Sequence, residues 1–144
     1  MSEQVTRILI LEENPAVTTE LLDAIHDRTS HGPTQFHVVV PNPAGHEINV
    51  LHPHRHLLAA EAEKTLREAL PQLEAAAGGP VIGTVSVRHD PMDAVEDVLF
   101  TEQVDEVIVS TTTHAVARWL HQDLASRLRH NGYTVTNLAE PAQA

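Results

Sequence analysis

Four consecutive hydroxyl residues, Ser110-Thr111-Thr112-Thr113, stand between an apolar run and a helix-like segment that begins near His114. A helix N-terminus presents backbone N–H groups with no partner inside the helix, and hydroxyls add further donors, so this run suits a small anion. Thr112 or Thr113 can equally serve only as the helix cap. Glu12-Glu13-Asn14 follows the first apolar run and offers acceptors for a ribose hydroxyl or an amine. Such residues after a strand are also ordinary solvated loop residues. Asn42, after the second apolar run, is close enough in an α/β arrangement to contribute.

Histidine is the compositional oddity, at eleven residues. His52-Pro53-His54-Arg55-His56 forms a local cluster, with His46 upstream and His89 farther along. A zinc site needs three or four ligands converging at about 2.0–2.1 Å, and an extended H-x-H-x-H run places two on one face. The cluster falls where a loop passes into a helix, a position that is usually solvated, and no metal is expected. His114 and His121 lie two helical turns apart, roughly 10.5 Å, too far to share an ion. Neither a phosphate-binding P-loop, a G-x-G-x-x-G nor a G-x-S-x-G is present, so no enzyme activity and no cofactor are expected.

Composition narrows the partners. The chain has 144 residues and a formal net charge of −11, with nine cationic side chains, which disfavours nucleic acid. No cysteine is present, which excludes disulfides and thiolate chemistry. No stretch approaches the roughly 20 apolar residues of a membrane helix. The first ten residues, with Glu3 and Arg7, lack a leader-type apolar run, so a cytoplasmic location is expected. Aromatics make up only 3%, so the core must be aliphatic.

The elements that would position these residues are read from apolar periodicity. Strands are expected over 5–11, 35–40, 81–88, 104–109 and 133–138, and helices over 17–28, 55–77, 91 onward and 114–130. Thr18 or Thr19 caps the first helix, Pro71 should end or kink the second, Asp90-Pro91 opens the third, and Asn131-Gly132 stops the fourth. Strict alternation of strand and helix argues for an α/β fold, a parallel sheet with helices on both faces. The first, second and fourth strands are continuously apolar, as buried central strands are; the third and fifth alternate, as edges do. This pattern gives the order 3-2-1-4-5, with the ligand-binding switch point between strands one and four. One domain over residues 1–138 and a tail over 139–144 are expected.

The segment Val104-Asp105-Glu106-Val107-Ile108-Val109-Ser110-Thr111, with Arg118-Trp119-Leu120 and Leu124-Ala125-Ser126-Arg127-Leu128, resembles the universal stress protein family. The whole chain can be laid on that fold, and the similarity is concentrated after Asp90. It looks most like a divergent actinobacterial branch. In the nucleotide-binding branch, a Gly-x2-Gly, nine residues and a Gly-Ser or Gly-Thr cradle the ATP phosphates, and an aspartate after strand one contacts the nucleoside. Here no glycine lies between Gly83 and Gly132. Thr111 to His114 stand at the glycine loop, and Gln122-Asp123 fall on the Gly-Ser pair when one gap is allowed. Asp123 would set a like charge near a triphosphate, at several kcal/mol for about 4 Å and an effective dielectric near 20, which Arg118 offsets in part.

The resemblance thus implies a stress-associated signalling or interaction module with a degenerate phosphate loop. The alternative is a small-molecule binder holding a nucleoside or another small polar ligand in the same cleft. A hydrolase or transferase of the wider nucleotide-binding superfamily ranks third. The fifth strand, Tyr133-Thr134-Val135-Thr136-Asn137-Leu138, carries no charge, Pro or Gly to protect an edge. A homodimer through Tyr133, Thr134, Val135, Thr136 and Leu138 is therefore expected. The resemblance points the same way, since stress proteins often dimerise through this strand. Pro80, Gly83 and Arg88 protect the third strand instead.

Overall fold

A computed structural model describes residues 4–13, 17–41, 54–86, 91–110 and 115–138, with the side chains of 54–59, 61 and 115–122 excepted. Strands β1 (Thr6–Glu12), β2 (Thr34–Val40), β3 (Ile82–Val85), β4 (Glu106–Ser110) and β5 (Thr134–Asn137) alternate with helices α1 (Thr19–Thr29), α2 (His54–Ala77), α3 (Pro91–Thr101) and α4 (Ala115–His130). All pairings are parallel and the order is β3-β2-β1-β4-β5, as the burial pattern of the sequence predicts.

Side chains alternate across the sheet and divide the core in two. Ile8, Ile10, Phe36, Val38 and Ile108 pack with Leu21 and Ile25 of α1 and Leu73 of α2. Leu9, Leu11, Val39, Val107 and Val109 pack with Ala94, Val95 and Val98 of α3 and Leu124 and Leu128 of α4. Both layers are aliphatic apart from Phe36 and the partly buried Tyr133. Phe100, at the end of α3, is 90% exposed.

Local signals set the helix ends. Thr18 caps α1, its Oγ1 accepting from the Leu21 N–H. Gly132 adopts φ 97°, a left-handed conformation that suits glycine, and lets the Tyr133 N–H reach back to Leu128 O at the end of α4. Pro71 does not end α2, which runs on to Ala77. The proline removes the bond to the Arg67 carbonyl, but both residues lie on the exposed face, where water can satisfy that oxygen.

Strand boundaries move by a few residues. β3 is shorter than expected, and residues 87–90 lie outside the described residues. β4 begins at Glu106 rather than Val104. Gly83 has a second role besides interrupting an edge: a Cβ there would come within 2.8 Å of Leu66 Cδ1 and 3.1 Å of Leu70 Cδ2. Glycine is what allows α2 to pack so closely on β3.

One ion pair ties α1 to β4 and β5. The Arg28 guanidinium donates from Nε to Glu106 Oε1 at 2.9 Å and from Nη2 to Oε2 at 2.7 Å, and Thr136 Oγ1 donates to the same carboxylate at 2.7 Å. Burial alone would push the Glu106 carboxyl up. The Arg28 and Thr136 hydrogen bonds and the Arg28 charge outweigh it and hold the group below the ordinary carboxylate range. Its stabilisation is thus present above the unfolded-chain value and is lost as pH falls through the lower folded value. Glu106→Gln should lower the unfolding free energy by about 1–3 kcal/mol at neutral pH. In urea titrations, the gap between variant and parent should close in acid, once the parent's carboxyl is protonated.

Candidate functional site

The carboxyl ends of β1 and β4 meet at the switch point of the sheet. Glu12 is the register partner of Ser110, and the Glu13 N–H donates to Ser110 O at 2.9 Å. Strand alternation puts Glu12 and Ser110 on the α1 face, in line with Ile10 and Ile108. Glu12 is 0% exposed and Ser110 1% exposed. Glu13 is half-buried. Two of the candidate ligand residues are therefore brought side by side, and Glu12 is an interior carboxylate rather than a solvated one.

Other candidates cannot be placed in this geometry. Asn14, Asn42, Thr111, Thr112 and Thr113 lie outside the described residues, as do His46, His52 and His89. Arg118 belongs to α4, and His54 and His56 to α2, but their side chains are not among those described. Asp123 is exposed on α4. Among the described residues, no three His, Asp or Glu side chains are grouped to hold a metal ion. No described helix is long and apolar enough to cross a membrane.

The β5 edge is less bare than its composition suggests. The Leu138 N–H donates to Val109 O, so the even-numbered residues of β5 face β4 and the backbone of Val135 and Asn137 faces outward. The Val135 carbonyl on that outer side accepts from Arg129 Nη2 at 3.0 Å. The charge that covers the edge comes from α4, not from the strand. Val135 is buried, Tyr133 and Leu138 pack against the two core layers, and Thr136 is committed to Glu106 and Arg28. Thr134 is exposed.

A second polar cluster lies partway along the sheet, beside its β3 edge, where sequence reasoning placed nothing. His37 of β2 is 8% exposed and sits between Glu102, just beyond α3, and Thr84 of β3. These residues are 65 and 47 positions from His37 in sequence, so no local motif could have flagged them.

No protein-family model and no curated protein matches the chain. Solved structures do resemble it. One is a universal stress protein from Archaeoglobus fulgidus, 15% identical over 92% of each chain, with a TM-score of 0.61. Another is a protein from the universal stress protein family from Burkholderia pseudomallei, 18% identical over 94% of this chain and 96% of that one, with a TM-score of 0.60. The chain thus has the universal stress protein fold, a five-stranded parallel sheet of order 3-2-1-4-5 clad in helices.

Proposed function

We infer that this chain is a stress-associated signalling or interaction module, built on the universal stress protein fold, whose carboxyl-end cleft does not bind ATP and is not catalytic. The observation that carries this reading is the absence of glycine from residue 84 to residue 131, the stretch that includes β4 and α4. A triphosphate cradle needs backbone N–H groups to approach phosphate with no Cβ between them. Asp123 adds a negative charge where the resemblance places a phosphate-binding hydroxyl. Calorimetry with Mg-ATP should give no affinity tighter than about 1 mM, or roughly −4 kcal/mol. A micromolar constant, or nucleotide carried through purification, would overturn the reading.

A smaller polar ligand, such as a nucleoside, is the second reading. The adjacency of buried Glu12 and Ser110 favours it, because a carboxylate sheltered from water makes stronger hydrogen bonds to a ribose hydroxyl or an amine. In that case adenosine, and not ATP, raises the melting temperature, and Glu12→Gln removes the rise.

The module self-associates through β5, two copies pairing antiparallel about a two-fold axis. Arg129 competes with that pairing for the Val135 carbonyl. Arg129→Ala should therefore tighten association when sedimentation is measured at tens of micromolar, a range matched to roughly −6 to −7 kcal/mol. A monomer in both the parent and this variant would remove β5 as the interface.

A further inference from the structure

His37, Thr84 and Glu102 have the connectivity of a hydroxyl nucleophile, its base and the group that orients the base. His37 Nδ1 lies 3.1 Å from Glu102 Oε1, and His37 Nε2 lies 2.9 Å from Thr84 Oγ1. An ionised carboxylate can only accept, so in the neutral ring the proton belongs on Nδ1. The lone pair is then on Nε2, and Thr84 must donate its hydroxyl proton to it. The opposite tautomer would set a nitrogen lone pair against the carboxylate. Network and tautomer together point Thr84 Oγ1 toward deprotonation.

The rest of the setting suits chemistry on a small substrate. His37 and Ile82 are register partners on β2 and β3, and Thr84 is the next residue on the same face of β3. Thr84 is exposed and accessible, whereas the base is sheltered. His37 and Glu102 also line a cavity of about 160 Å³ together with Arg7, Ile8, Gln35, Ile82, Gln103 and Val104, while Thr84 stands outside that lining, on the other side of the imidazole and open to solvent.

We propose that Thr84, His37 and Glu102 form an acyl-transfer site beside the β3 edge of the sheet that hydrolyses esters of short-chain carboxylic acids. Thr84 Oγ1 attacks the ester carbonyl carbon as His37 Nε2 takes the hydroxyl proton. The tetrahedral intermediate collapses, the C–O bond to the alcohol breaks, and His37 returns the proton to the departing alkoxide. Water, deprotonated by His37, then attacks the acyl-threonine ester. The C–O bond to Thr84 breaks, the threonine oxygen recovers its proton from His37, and the carboxylic acid leaves. His37 and Thr84 are catalytic residues; Glu102 is a positioning residue that holds the ring in its tautomer. The site lies on the opposite face of the sheet from Glu12 and Ser110 and does not depend on what the carboxyl-end cleft binds.

The full-length protein mixed with p-nitrophenyl acetate should release a burst of nitrophenolate stoichiometric with protein, and acid-quenched samples should carry one acetyl group on Thr84 by peptide mass spectrometry. Thr84→Val, a near-isosteric change at an exposed position, should abolish the burst and lower kcat/KM by about 100-fold or more, as should His37→Gln. Thr84→Ser should retain the acetyl adduct. Glu102→Gln should lower kcat and leave KM and the melting temperature in place. Because the chain carries other histidines, acetylation elsewhere with equal rates in the parent and Thr84→Val would overturn the proposal. So would a parent that reacts no faster than His37→Gln. Should His37→Gln fail to fold, the comparison of Thr84→Val with Thr84→Ser decides alone.

Discussion

The structure depends on the complete enclosure of β1. This strand is hydrogen-bonded to β2 on one edge and to β4 on the other, and helices cover both of its faces. Ile8, Leu9, Ile10 and Leu11 are all at or below 2% exposure. A strand so placed has no polar face to offer water, so its apolar side chains must alternate into both core layers. Glu12 inherits that enclosure. It is buried because it is the last residue of the central strand, and its register on β4 sets it beside Ser110.

The two ends of the sheet solve the polar problem differently. At the amino end, charged and polar groups from distant elements meet in pairs. Arg28 of α1 clamps Glu106 with two hydrogen bonds, and Asp105 Oδ2 accepts from the Arg7 N–H; farther along the strands, His37 bridges Glu102 and Thr84. Each contact joins parts of the chain that are far apart in sequence. At the carboxyl end, Glu12 and Ser110 are buried side by side on β1 and β4.

The two outer strands also differ. β3 is held close to α2 through Gly83, and its side chains alternate between exposed and half-buried. β5 has its one buried side chain, Val135, in the core, while the carbonyl of that same residue is covered by Arg129 from the preceding helix. Edge protection here is supplied in trans to the strand, by a helix whose last turn carries Arg127, Arg129 and His130.

What the sequence alone determined is the architecture. Continuous apolar runs for β1, β2 and β4 and alternation in β3 and β5 specify which strands are central and which are edges, because burial on one face or on two is written directly in side-chain type. The Thr18 cap, the Pro91 start and the Gly132 stop were legible for the same reason: each acts on backbone groups within a few residues of itself. The pairing of Glu12 with Ser110 followed in outline from strand order. The persistence of α2 through Pro71, the cover that Arg129 gives the β5 edge and the His37–Glu102–Thr84 cluster did not follow. Each depends on which side of an element meets water or on side chains many residues apart, and only the tertiary packing of the sheet and its helices decides either.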